Sequence, residues 1–292
     1  MSNVLIRRRV PGQPRGAGWA GVAVAIGLVL GVGGCADLGT VNPSFAVTHA
    51  EADRRIDAMG REKKALSRPV VFVGPFLDPL VAECLMVSRV RRVVADPSRV
   101  TGVSFVGWDT FEICRAKTLR AVEAAFGAGE GGETVEVDVI GFSMGGLVAR
   151  YAAMAPDAAR GQTGRLKIRR LYTIATPHRG AAWAPLGVFN SLAQGMEAGS
   201  GFLERLDAGL AEADYELIPY TRLGDVVVGP SNTSPAGMTP WWVPGRALEF
   251  AHVQAVSDPR IVADILADLR GEERLTEGEP AALPAFARGG ER

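Results

Sequence analysis

The segment Val135–Tyr151, VEVDVIGFSMGGLVARY, constrains the fold of this chain more than any other stretch. Val135, Val137 and Val139 alternate with Glu136 and Asp138 and run into Ile140, the pattern of a strand entering a core. Gly141-Phe142-Ser143-Met144-Gly145 then spells G-x-S-x-G, and Gly146–Tyr151 has helical spacing. A chain with 36 glycines meets this pentapeptide easily by chance, so the five letters alone say little. The strand before them and the helix after them say more. In that context the serine takes a strained backbone conformation, and the small residues around it keep strand and helix from colliding. Its hydroxyl then stands at a helix N-terminus, where partial positive charge favours a developing anion. Ser143 is the candidate nucleophile; the competing reading is an ordinary strand-to-helix turn.

The N-terminus reads as a targeting segment. Arg7-Arg8-Arg9 precede an apolar stretch, Trp19–Val32, which is shorter than the ~20 residues of a spanning helix. Val32-Gly33-Gly34-Cys35 follows. Small residues directly before a cysteine resemble a bacterial lipoprotein signal, which implies removal of residues 1–34 and lipidation of Cys35. The expected location is the cell envelope, lipid-anchored and facing the periplasm or exterior. An uncleaved anchor or an ordinary signal peptide is the alternative. Export places the two other cysteines, Cys84 and Cys114, in an oxidising compartment, where they form one disulfide or remain as two buried free thiols.

Downstream, Pro69–Val73 is a continuous apolar run ending at Gly74-Pro75, suited to a central parallel strand. Further strands are expected at Val100–Val106, Lys167–Ala175 and Leu217–Thr221, and helices at Cys84–Val94, Ile113–Phe126 and Pro259–Leu269. Strands alternating with helices imply an α/β fold, a mostly parallel sheet with helices on both faces. The expected organisation is a tether and surface helix over 35–68, one domain over 69–270 and a disordered tail over 271–292. Within the domain, residues 181–215 form a small helical cap or lid insertion. Their apolar side chains, among them Trp183, Leu186, Phe189, Met196, Phe202 and Leu206, either hood the serine or pack on the core.

An activated serine needs a base, and the base needs an orienting acid. The chain has three histidines, His49, His178 and His252. His49 lies in the tether, and His178, in T-P-H-R-G, suits a structural hydrogen-bonding role. His252 lies late in the chain, before the final helix, where the order Ser…Asp…His puts the base. Asp225, in R-L-G-D-V-V-V, is the candidate acid, against the reading of a turn aspartate capping its own backbone. Asp109 is its rival; Asp207, Asp214 and Asp258 are less well placed. For an oxyanion, Met144 supplies one backbone N–H and the segment after the first core strand a second. Pro75 has no N–H, so Phe76 is the expected donor, with Leu77 behind it. Three scattered histidines make no metal site, and no cofactor is expected. Net charge is zero, with 32 basic and 32 acidic residues, which speaks against a nucleic-acid partner.

Four segments together resemble an α/β-hydrolase of the bacterial lipase and esterase kind: PVVFVGPF at 69–76, GFSMGG at 141–146, IATPHRG at 174–180 and LGDVVV at 223–228. MEAGSGFLERL at 196–206 is similar to a lid-region segment in some of these enzymes. The resemblance implies hydrolysis of lipid or acyl esters through an acyl-enzyme. A thioesterase or amidase on the same fold and a non-catalytic envelope binding protein are the alternatives. One departure stands out: such enzymes usually carry His-Gly after the first core strand, where this chain has Gly74-Pro75.

Overall fold

The computed structural model describes residues 40–77, 80–105, 109–184, 191–246 and 249–288. The signal segment and Cys35 lie outside the described residues, as do Leu186 and Phe189 of the expected hood. The strands are β1 (Val70–Phe76), β2 (Val100–Phe105), β3 (Val137–Phe142), β4 (Ile168–Ile174), β5 (Glu216–Arg222) and β6 (Trp241–Val243). They form one sheet in the order β2-β1-β3-β4-β5-β6, with every pairing parallel. The chain winds outward one way from β1 to β2 and then the other way from β3. Connections therefore diverge at the carboxyl ends of β1 and β3, the point where parallel sheets open a crevice. Ser143 directly follows β3 and Phe76 ends β1, so both candidate residues sit at that switch.

The helices are α1 (His49–Arg61), α2 (Val81–Val93), α3 (Phe111–Phe126), α4 (Met144–Ala153), α5 (Ser191–Gly195), α6 (Gly201–Leu210), α7 (Ala251–Ala255) and α8 (Pro259–Leu269). Alternate strand residues face opposite ways. Val70, Phe72, Ile140, Phe142, Tyr172 and Ile174 pack with α1, α2 and α8 on one face. Val71, Val73, Val137, Val139, Ile168 and Leu171 pack with α3, α4 and α6 on the other. No helix among the described residues is long and apolar enough to cross a membrane.

Several expectations change. Cys84 and Cys114 are free thiols, one exposed and one buried. The sheet explains why they form no disulfide: α2 belongs to one covered face and α3 to the other. Cys114 is further disarmed, because burial, aided by the charge of Asp109, pushes its thiol up to about 12.

The supposed tether and the tail are packed against each other. Asn42 Nδ2 donates to the Trp242 carbonyl at 2.6 Å, and Phe45 is buried. Thr48 and Glu51 form a capping box that starts α1, whose Ala52, Ile56 and Met59 are buried. Over 271–288 the tail is fastened rather than disordered. Leu275 and Thr276 donate their backbone N–H groups to the buried Asp264 carboxylate at 2.6 and 2.9 Å. Trp242 Nε1 donates to the Ala281 carbonyl at 2.8 Å, and Leu283 and Ala287 pack beside Trp242. A Glu/Gly/Pro/Ala composition offers little apolar surface, but hydrogen bonds to Asp264 and Ser44 hold it instead.

The described part of 181–215 packs on the core. Leu192, Met196, Phe202, Leu203 and Leu206 join the cluster of α3 and α4, and the Phe202 ring stacks on Phe111 with centroids 3.7 Å apart. Trp183 stays about half exposed. Trp241 and Trp242 belong to the sixth strand, at one edge of the sheet.

Candidate active site

The turn after β3 is as tight as its glycines suggest. Ser143 has φ 53° and ψ −125°, a conformation that costs a non-glycine residue about 1–3 kcal/mol. A Cβ added at Gly141 would lie 2.6 Å from the Gly146 Cα, and one at Gly145 would lie 2.0 Å from the Val73 carbonyl oxygen. Only glycine lets α4 start so close to β3 and to the end of β1. Ser143 is half-buried and stands at the carboxyl edge of the sheet, directly after β3.

The structure brings Ser143, His252 and Asp225 together. His252 Nε2 lies 3.0 Å from Ser143 Oγ, and His252 Nδ1 lies 2.8 Å from Asp225 Oδ2. His252 sits in the five-residue α7, a short turn of helix just before α8. The Phe142 ring packs against its imidazole with centroids 5.4 Å apart. The Asp225 side chain is fully buried. Its Oδ1 accepts from the N–H groups of Val227 and Val228 at 2.9 and 3.1 Å. Thus the aspartate caps its own turn with one oxygen and faces the histidine with the other. An ionised carboxylate accepts only, so His252 Nδ1 carries the proton and Nε2 turns a lone pair toward the serine hydroxyl.

The remaining candidates are accounted for elsewhere. His178 is fully buried; its Nδ1 lies 2.9 Å from Arg150 Nη1 and its Nε2 lies 3.0 Å from Thr173 Oγ1. Burial and the Arg150 charge hold its pKa well below the ordinary histidine range. His49 lies 3.6 Å from Asp258. Asp109 pairs with Lys117, Asp207 with Arg150 and Asp214 with Arg165, so each rival acid already has a cation.

A model of the PGAP1-like alpha/beta domain matches residues 119–197, from the middle of α3 to just past α5. This minority of the chain contains Ser143 and His178 but neither Asp225 nor His252. The match joins the strand order and the strand–serine–helix turn. The fold is that of an α/β-hydrolase. No curated protein sequence matches the chain. Among solved structures, it is similar to phospholipase PlaB from Legionella pneumophila at 13% identity and TM-score 0.47. That alignment covers 70% of this chain and 59% of the phospholipase. It is also similar to the mature lipase BlEst2 from Bacillus licheniformis at 15% identity and TM-score 0.44, covering 72% and 92% of the two chains. Likenesses this faint carry no argument about chemistry.

Within this hydrolase fold the Gly74-Pro75 departure has a visible consequence. β1 continues through Gly74, Pro75 and Phe76, and its pairing with β2 shifts register between Val73 and Phe76. The irregularity falls where Pro75 has no N–H for the ladder. Phe76 is half-buried opposite Phe105, and Leu77 turns the chain with φ 55°. The close contact of Gly145 with Val73 and Gly74 puts the start of α4, and with it Met144, against this strand end.

One part of the site had no sequence signal. Arg222, Glu249 and Asp258 form an ion-pair group beside the His252 segment, with Arg222 and Asp258 buried and Glu249 partly exposed, and no periodicity or motif links these three positions.

Proposed function

We propose that this chain is a serine carboxylic-ester hydrolase acting on lipid or acyl esters and held at a membrane through a lipidated Cys35. The observation that carries the reading is the hydrogen-bonded series from Ser143 Oγ through His252 to Asp225, at 3.0 and 2.8 Å. Ser143 Oγ attacks the acyl carbonyl carbon while His252 Nε2 takes its proton and Asp225 steadies the resulting imidazolium. The oxyanion meets the N–H groups of Met144 and Phe76. Losing one such donor costs about 2.7–4 kcal/mol of barrier. The tetrahedral adduct expels the alcohol, which takes the proton back from Nε2. Water, deprotonated by the same nitrogen, then releases the acid from the serine.

Support for an apolar substrate comes from the rim. Leu77, Leu80 and Val81 follow β1, Trp183 follows β4, Val226 follows β5 and Phe250 precedes His252, and all six are exposed. The segments that carry them adjoin the carboxyl edge of the sheet, where Ser143 follows β3, and Trp183 and Phe250 lie with ring centroids 6.3 Å apart. Exposed apolar residues on the segments beside that edge suit a lipid or a long acyl chain.

A fluorescent fluorophosphonate tests the chemistry: the wild-type chain is labelled, and Ser143→Ala and His252→Ala are not. Absence of labelling in all three rejects the hydrolase. Chromogenic esters from acetyl to octanoyl test the substrate class, with octanoyl expected to be cleaved faster; the reverse order rejects the acyl reading. Cys35→Ser releases the protein from the membrane fraction if the anchor is as proposed.

A further inference from the structure

We propose that Arg222 is a positioning residue that sets His252 against Asp225 and Ser143 by clamping both ends of the segment that carries the histidine. The inference rests on the proposed roles of those three residues. Arg222 ends β5, and its side chain is 3% exposed. One terminal nitrogen, Nη1, donates to Asp258 Oδ2, and the other, Nη2, donates to Glu249 Oε2. Glu249 precedes α7 and Asp258 follows it, so a single guanidinium grips the chain on either side of His252.

Such a clamp is needed because α7 has five residues, too few for a helix to hold its own place. The position of the imidazole must therefore be imposed from outside. The far end of the segment is reinforced: Arg260 donates to both Asp258 oxygens at 2.9 and 2.7 Å, and Arg89 Nη1 donates to the Ser257 carbonyl at 3.1 Å. Burial acts to raise the Asp258 carboxyl, but hydrogen bonds from Arg260 and His49 and the charges of Arg260 and Arg222 hold it well below the usual carboxylate range. Asp258 also caps α8 by accepting from Arg260 N–H at 3.1 Å. The near end has Glu249, for which Arg222 is the buried partner.

Arg222 stands on the same strand end that delivers Asp225. Only Leu223 and Gly224 intervene, and Leu223 is fully buried with its N–H bonded to Val243 O at 2.9 Å. The acid and the segment bearing the base are therefore referenced to one rigid, planar group. Lysine has the charge but lacks the fork that spans two carboxylates. Buried ion pairs contribute little net stability compared with apolar packing, and fixing a unique geometry is the use left to this one.

The test uses the full chain as wild type, Arg222→Gln, Arg222→Lys and Glu249→Gln, with Ser143→Ala as the inert reference. On p-nitrophenyl butyrate, Arg222→Gln is expected to lower kcat about a hundredfold with KM nearly unchanged, the scale of a 1 Å misplacement. Arg222→Lys should recover part of the loss, and Glu249→Gln, which opens one end only, should lose about tenfold. A merely structural role would lower the melting temperature and leave kcat of the folded fraction alone. If Arg222→Gln does not fold, Glu249→Gln decides, because its carboxylate is partly exposed and Asp258 keeps both arginines. Wild-type kcat in the folded variants overturns the proposal. A second readout needs no turnover: the downfield Nδ1–H proton resonance of His252, identified by its loss in His252→Ala, should broaden or vanish in Arg222→Gln. Its retention there rejects the clamp even if the wild type proves inert, whereas an inert wild type with a clamp-dependent resonance rejects only the hydrolase.

Discussion

His252 Nε2 and His178 Nε2 each lie 3.0 Å from a hydroxyl, that of Ser143 in one case and Thr173 in the other. The two histidines part company at Nδ1. His252 meets the Asp225 carboxylate there, which forces the proton onto Nδ1 and leaves Nε2 able to accept. His178 meets the Arg150 guanidinium, which can only donate, so Nδ1 accepts and Nε2–H must point at Thr173. The charge on the far side of an imidazole thus decides whether its other nitrogen accepts from a neighbouring hydroxyl or donates to it. Backbone geometry separates them further: Ser143 is held in a strained turn outside the strand, whereas Thr173 lies within β4 and is fully buried.

The largest effect should come from erasing that difference at the proposed catalytic pair. Asp225→Asn removes the acceptor that fixes the His252 tautomer, and kcat should fall by about 10⁴-fold with the fold intact. A loss below tenfold in steady-state ester cleavage would place the acid elsewhere.

At the other histidine the currency is stability. His178→Ala strips Arg150 of a buried partner and should cost about 1–3 kcal/mol in urea unfolding, while kcat per folded molecule stays within a fewfold of wild type. A collapse of turnover in the folded variant would give His178 a chemical role after all.

The same site predicts a pH signature. Burial and Arg150 depress the His178 pKa in the folded chain, so below its ordinary value the unfolded chain binds a proton that the folded chain refuses. The stability from this neutral histidine is complete above about pH 6.5 and erodes as pH falls, by up to ~1.4 kcal/mol per unit. Unfolding at pH 7.5 and 5.5 should therefore show the gap between wild type and His178→Gln narrowing at the lower pH. A constant gap would mean that the imidazole protonates in place.

The smallest expected change compares the hydroxyls. Thr173→Val leaves His178 Nε2–H unpaired and should cost about 1 kcal/mol without touching turnover. Ser143→Ala should do the opposite, abolishing turnover with little change in unfolding free energy. If both lose activity, the two sites are coupled and the contrast fails.

Much of the site was legible in the chain. The run from Val135 to Tyr151 foretold strand, strained turn and helix, and chain order pointed to His252 and Asp225. For Asp225 the sequence offered a turn cap or an acid facing the histidine; one oxygen caps the turn and the other lies against His252. Other features left no local trace. β6 is only three residues long, and it becomes a strand because β5 offers it an edge. Residues 271–288 look like a solvated tail by composition, yet Asp264 and Ser44 supply the partners that order them. Met196, Phe202 and Leu206 could equally have hooded the serine or filled the core, and the groove between α3 and α4 decided for the core.

The sequence by itself determined the local chemistry: which turn only glycine neighbours allow, which strands are apolar on both faces, and which histidine follows the acid. Those properties depend on residues adjacent along the chain, where sterics and periodicity act directly. Only the tertiary structure decided that the cysteines stand on opposite faces of the sheet and that His178 turns toward an arginine. It alone also made Arg222 span Glu249 and Asp258 around the other histidine. Those facts join residues far apart in the chain, and no short-range rule fixes a contact whose partners are chosen by how the layers stack.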